Sequence, residues 1–198
     1  MGDRKSKWLA HLPTVIWAAL CFSGFSILAL YANSPSPQGN AASPVPDSSN
    51  DGARVTMFLH PKCVCSRASI DELKAAIQQA DQYRGTLHFY ITVPESGSTE
   101  EWKKEPLVTQ LKHWGHNSTI HFDPGGKHAE KHGALTSGHV VAHDSEGKLI
   151  FTGGITASRG HRGENPGRLA LTIALEGIPH KAPSPVYGCG LQTTNAPN

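Results

Sequence analysis

Val55-Thr56-Met57-Phe58-Leu59-His60-Pro61-Lys62-Cys63-Val64-Cys65-Ser66 joins an apolar run to a turn that carries two of the chain's four cysteines, and a segment of helical periodicity follows. The stretch reads as strand, turn, helix. A helix start leaves backbone N–H groups unpaired and presents the positive end of the helix dipole, and both favour a thiolate over a thiol. Cys63 and Cys65 are therefore the first candidates for chemistry.

Downstream, Ile70, Leu73, Ala76, Ile77 and Ala80 recur at helical spacing, Ser69 and Glu72 have the spacing of a capping box, and Gly85 is the expected stop. The helix start has two readings. With Ser69 as the cap the cysteines lie on a loop before the helix; with Ser66 or an earlier residue as the cap they sit in its mouth. Thr86 to Val93 alternates and is β-rich, and Pro94 closes it. Strand, helix, strand implies a parallel crossover. Glu95 to Glu101 reads as polar loop, Pro106 to Trp114 as a short helix and Ile120 to Asp123 as a short strand before the turn Pro124-Gly125-Gly126. His139 to Ala142 and Leu149 to Thr152 form a hairpin signal around Asp144 to Lys148. Leu169 to Leu175 is a last apolar helix, stopped by Gly177 and Pro179. The expected class is α/β, with helices covering a mixed sheet over residues 54–179 and a tail, 180–198, that carries Cys189.

Upstream, Leu12 to Ala32 is uncharged and almost wholly apolar, matching the ~20 residues a helix needs to cross a bilayer. A cleaved signal peptide is the rival reading, but its apolar region runs only ~7 to 15 residues and Leu30 with Ala32 makes a mediocre cleavage site. Arg4, Lys5 and Lys7 precede the span, so residues 1–11 are expected to stay inside and everything after Ala32 to be exported. Residues 33–53 are rich in Ser, Pro, Asn and Gly and read as a linker of ~25 Å reach.

At 38% hydrophobic and 17% charged residues, with a formal charge of +2 that the N-terminal basic residues supply, the remainder of the chain is close to neutral. Without a basic block or interleaved aromatics, nucleic-acid binding is excluded as a class. Gly153-Gly154 and Gly160 to Gly167 fit neither a phosphate loop nor a dinucleotide fingerprint.

His60-Pro61, Cys63-Val64-Cys65-Ser66, Thr136-Ser137-Gly138-His139, the run Phe151 to His161 and Val186-Tyr187-Gly188-Cys189 together resemble the RedB group of bacterial thioredoxin-like proteins. The resemblance covers roughly Arg54 to Gly177. It implies a thioredoxin fold and a redox role. The expectation is a protein or small-molecule disulfide or thiol as substrate, an unidentified redox partner and no cofactor; the apolar span and the basic residues before it add a single-pass protein of the cell inner membrane with the folded domain on the periplasmic side. Cys63 matches the first thioredoxin cysteine and is the expected nucleophile, with Cys65 or Cys189 resolving. By the same resemblance Arg159 and His161 run beside the active turn, and Thr136 and Ser137 shape the groove next to it. Two departures stand out. Ser66 takes the place of the second thioredoxin cysteine, and Ser137-Gly138 stands where thioredoxins place a cis-proline.

C-x-C neighbours have Cα atoms ~5.5 to 7 Å apart, so Cys63 and Cys65 can bridge only with strain and with little loop-closure benefit. Such a bridge would be readily reduced. His60, Ser66, Arg67, Arg159 and His161 are candidates for tuning the thiolate. Twelve histidines raise a second reading: Cys63 and Cys65 with His132 or His139 as copper ligands, similar to the Sco type, though Sco cysteines have three residues between them and these have one. The pairs His128/His132 and His113/His116 are weaker, since flanking glycines predict loop around the first. A third reading is a non-catalytic exported interaction domain in which Cys189 and one turn cysteine form a structural disulfide.

Overall fold

The computed structural model describes residues 3–39, 52–81, 83–95, 99–115, 117–180 and 182–192. Most of the expected linker, the loop residues 96–98, His116 and the last residues of the tail lie outside them. The chain divides into two units, Met1–Ser34 and Pro35–Asn198. The first is helix α1, Asp3–Asn33, with Pro13 inside it. Its stretch His11–Asn33 has a mean hydropathy of 2.0 and is long and apolar enough to cross a membrane. Ser23 and Ser26 donate their hydroxyls to the carbonyls of Ala19 and Phe22, each at 2.8 Å, so neither polar group needs water.

The second unit is built on β1 (Arg54–Leu59), α2 (Ser66–Gln79), β2 (Thr86–Val93), α3 (Glu100–Lys103), α4 (Pro106–Lys112), β3 (Ser118–Pro124), α5 (Lys127–Lys131), β4 (His139–His143), β5 (Leu149–Gly153) and α6 (Pro166–Leu175). The strands form one mixed sheet in the order β3-β2-β1-β4-β5. β1, β2 and β3 run parallel, as the crossover rule requires, and β4 runs antiparallel to both β1 and β5.

β1 is central and buried on both faces, which is why its sequence reads as a continuous apolar run. Val55, Met57 and Leu59 pack with Leu73 and Ala76 of α2, Leu107 and Leu111 of α4 and Leu171 of α6. On the opposite face Phe58 packs with Val141, Ala129, Ala134 and Leu191. Leu191 belongs to the tail, which returns along β5: Ser184 bridges Gly153, and its N–H donates to the Thr152 carbonyl at 3.1 Å.

Several expectations are corrected. α2 begins at Ser66 with Cys65 at its N-cap and no capping side chain, so Ser69 lies inside the helix and makes no capping box. Glu72, the other half of that pattern, is spent on a tertiary network. α2 also ends at Gln79, well before Gly85. Gly85 is there for contact: a Cβ would stand 1.6 Å from the Ala53 carbonyl, which accepts the Thr86 N–H where β1 and β2 begin to pair. The polar stretch before Pro106 contains the short helix α3, and residues 127–131, read as loop from their flanking glycines, form α5. Gly126 precedes α5 at φ +72°, so the glycine is the helix's entry and not a sign of its absence.

Candidate redox site

Leu59 ends β1 with the chain directed out of the sheet, and Pro61-Lys62 folds it back. The Cys63 N–H donates to the His60 carbonyl at 3.1 Å, and the Cys63 carbonyl in turn accepts the Ser66 N–H at 3.1 Å. This places Cys63 just before α2, buried at 3% exposure, with Cys65 half-buried two residues on. The cysteines therefore sit in the helix mouth. Val64 between them is 82% exposed, so the turn presents an apolar tip to solvent.

The loop before β4 locks onto this turn. Ser137 accepts the His60 N–H on its hydroxyl at 2.8 Å, and its hydroxyl pairs with that of Ser66 at 2.7 Å. Gly138 follows at φ +91°; its N–H donates to the Phe58 carbonyl at 2.8 Å, and a Cβ there would stand 2.6 Å from the Ser69 hydroxyl. Ser137-Gly138 thus brings β4 against α2 without a proline, by a hydroxyl network and a residue with no side chain.

The tail closes the site. The Cys189 carbonyl accepts the Ser137 N–H at 2.8 Å, the Leu191 N–H donates to the Leu135 carbonyl at 2.9 Å, and Thr136 bridges Gly190 in antiparallel sense. Cys189 is thereby held close enough to Cys63 for each thiol to shift the other's ionisation. Gly188 makes this approach feasible, because a Cβ would lie 2.1 Å from the Ser137 carbonyl oxygen. A second clamp comes from the start of the stretch that composition reads as linker. The Ser36 hydroxyl donates to the Gly188 carbonyl at 3.0 Å, the Pro37 carbonyl accepts the Thr136 hydroxyl at 2.7 Å, and Gln38 donates to the Ser184 carbonyl at 2.9 Å.

The thiols are electrostatically unequal. Burial pushes Cys63 up, but hydrogen bonds from the side chains of Cys189 and Ser66 and from the backbone N–H groups of Cys189 and Cys65 outweigh it, leaving Cys63 below its ordinary value. Cys189 is pushed up to about 12 by burial, by its hydrogen bond to Cys63 and by the Cys63 charge. Burial and the neighbouring Cys63 charge also raise Cys65, against a smaller opposing pull from Arg159. One thiolate, at Cys63, is thus stabilised by a thiol held protonated beside it.

His60 lies edge-on to Trp102, with ring centroids 5.4 Å apart, and accepts the Lys62 N–H on Nδ1 at 3.3 Å; burial and Lys62 lower its pKa, with Glu105 opposing. Arg67 is exposed on the first turn of α2. Arg159 holds the tail, donating to the Gly188 carbonyl and, at 2.7 Å, to the Ser36 hydroxyl. Its charge therefore acts on Cys65 and Cys189. His161 is exposed in a turn whose hydrogen bond runs to Ser158 and is not brought to the thiols.

The histidines of the copper reading are engaged elsewhere. His132 packs against His128 and Phe58, at centroid distances of 4.6 and 5.4 Å, and His139 shares a 3.0 Å hydrogen bond with Thr152. Among the described residues no group of three or more His, Cys, Asp or Glu side chains is placed to hold a metal ion. Sequence reasoning missed Ser36, Pro37, Trp102, Glu105 and Gly188. For Gly188 a signal was present: Gly-Cys-Gly at 188–190 brackets the third exported cysteine with residues that permit close backbone approach.

No family model and no curated protein matches the chain. Among solved structures it is similar to a hypothetical protein of Sinorhizobium meliloti 1021, at 17% identity over 83% of this chain and 98% of that one, with a TM-score of 0.54. An uncharacterized conserved protein of Geobacillus kaustophilus is similar at 18% identity over 84% and 94%, with a TM-score of 0.52. The exposed lipoprotein thioredoxin Etrx1 of Streptococcus pneumoniae aligns at 20% identity over 64% and 84%, with a TM-score of 0.43. The fold is thioredoxin-like.

Proposed function

We propose that this chain is a membrane-anchored, extracytoplasmic thiol-disulfide oxidoreductase of the RedB-like kind, with Cys63 as nucleophile and Cys189 as resolving thiol. The observation that carries this reading is the docking of the tail, Ser137 N–H to the Cys189 carbonyl at 2.8 Å, which pairs Cys189 with Cys63, the one shifted away from the thiolate and the other toward it. The N-terminal apolar helix supports the anchor, and the basic residues before it support export of the domain.

The chemistry follows from the pair. The Cys63 thiolate attacks one sulfur of a substrate disulfide, whose S–S bond breaks; the departing thiolate keeps the bonding electrons and takes up a proton. Once Cys63 is in a mixed disulfide its charge is gone, and with it two of the four causes that held Cys189 protonated; burial and Cys65 remain. Cys189 then loses its proton more readily and attacks the Cys63 sulfur, releasing the second substrate thiol. The substrate is reduced by two electrons and the protein is left with a Cys63–Cys189 disulfide. Cys65 remains a thiol in this sequence.

The test is mass-mapped alkylation of the full chain in non-ionic detergent, after reduction and across about pH 5 to 9, the range in which perturbed thiols titrate. Cys63 is expected to react at lower pH than Cys65 and Cys189, and mild oxidation is expected to link Cys63 to Cys189. Inert turn cysteines, or labelling that appears only after chelation, would overturn the reading.

A further inference from the structure

Displacement at sulfur is in-line: the entering and leaving sulfurs lie on opposite sides of the sulfur under attack. If Cys189 resolves, the substrate sulfur on Cys63 must lie away from the tail. Cys63 lines a cavity of about 530 Å³ together with Pro61, Lys62, Val64, Arg67, Glu105 and Leu107, and no residue of the tail lines it. That volume suits a small molecule. The opposite approach, along the edge of residues 135–137 where an extended polypeptide would pair, is taken by the chain's own residues 188–191.

The lining also has a sign. Arg67 is exposed and makes no hydrogen bond or ion pair among the described residues. The Lys62 ammonium lies 3.8 Å from Glu105 and 4.5 Å over the Trp102 ring, with its side chain 49% exposed. Lys62 and Glu105 offset each other, which leaves Arg67 as the uncompensated charge of the wall. The exposed Val64 supplies apolar surface next to the thiol.

We infer that the cavity beside Cys63 is the binding site for a small anionic disulfide, whose carboxylate meets Arg67 while one of its sulfurs lies against Cys63. The inference rests on the redox reading above. Its balance is two protein thiols and one small disulfide giving one protein disulfide and two small thiols, so the substrate itself is the oxidant.

The experiment oxidises the reduced full chain, in non-ionic detergent, with three small disulfides: oxidised glutathione (anionic), hydroxyethyl disulfide (neutral) and cystamine (cationic). Formation of the Cys63–Cys189 disulfide is followed by quench and mass. The expected result is that the ratio of the glutathione rate to the cystamine rate falls about tenfold on Arg67→Gln, with the neutral disulfide in between, as expected for loss of a steering and pairing charge. An unchanged ratio would overturn the inference. So would a rate with a disulfide-bonded polypeptide far above all three. If none of the disulfides oxidises the protein and Cys63 does not alkylate, the redox reading falls as well, so the two failures are distinguishable.

Discussion

Ser137 donates its backbone N–H to the Cys189 carbonyl at 2.8 Å, so the loop that precedes β4 carries the third thiol of the site as well as the turn that holds the other two. The same residue reaches Ser66 through its hydroxyl at 2.7 Å. One serine therefore fixes α2, β4 and the tail relative to one another, and any change in tail docking is felt at Cys63.

The first consequence concerns Cys189. Replacing it with Ala removes a side-chain donor to the Cys63 sulfur, and burial, which opposes ionisation, is left with fewer counterweights. The pH midpoint for Cys63 alkylation is expected to move upward. A Cys63–substrate mixed disulfide should also persist in this variant, visible by intact mass, because the thiol that displaces it is missing. An unaltered alkylation profile would mean that Cys189 does not support the thiolate.

Gly188 tests the docking itself. An added Cβ would stand 2.1 Å from the Ser137 carbonyl oxygen, closer than any real contact, so Gly188→Ala must shift the tail strand or the loop. A destabilisation of about 1–3 kcal/mol is expected from forced overpacking. Hydrogen exchange is expected to quicken at the Ser137 and Leu191 amides, which pair across this contact, and disulfide formation between Cys63 and Cys189 to slow with it.

The contrast between these residues shows what the sequence could convey. β1, the cysteine turn and β2 were legible because local pattern decides them: a continuous apolar run, a turn bearing thiols, an alternating strand. β2 is found at Thr86–Val93, as read. Cys189 was legible as a candidate but its place was not, because its docking depends on backbone pairing with residues some fifty positions away, which leaves no periodicity in the chain. Ser36 makes the point more sharply. It lies in a stretch too polar to form a core, yet it is buried by a single approach to Gly188 and Arg159. Glu72 misled for the same reason: the spacing Ser-x-x-Glu fits a local cap, while the carboxylate serves a tertiary partner.

That partner gives a stability prediction. Glu72 is buried and accepts from the Gly163 N–H at 2.6 Å, from Asn165 at 3.3 Å and from Arg168 at 2.9 Å, joining α2 to the start of α6. The Arg168–Glu72 pair has side chains only 10% and 4% exposed. Removing one partner strands a buried charge, so Arg168→Leu is expected to destabilise the domain by about 3–5 kcal/mol. The double variant Arg168→Leu with Glu72→Leu should recover part of that loss. Denaturant midpoints of the three chains check the order, and a double variant no better than the single one would mean that the carboxylate's other two bonds outweigh the pair.

Stability should also fall on mild acidification, and His139 supplies a sign that can be worked out. It is 1% exposed, shares its Nε2 with Thr152 at 3.0 Å, and is pushed down to about 4 by burial, with His132 adding to the effect. Above about pH 6.5 the ring is neutral in both folded and unfolded chains and contributes no pH dependence. Between about 6.5 and 4 the unfolded chain takes up a proton that the folded chain refuses, so unfolding is favoured increasingly as pH falls. The shift corresponds to about 3 kcal/mol lost across that window, with the neutral ring's full benefit present at pH 7. Burial lowers His143 and His128 as well, in the same direction, so the wild-type slope has more than one source. His139→Gln keeps a group able to bond Thr152 but cannot titrate. Its unfolding free energy should therefore depend less steeply on pH than the wild type's between pH 4 and 6.5, and parallel slopes for the two chains would show that His139 is charged in the folded state.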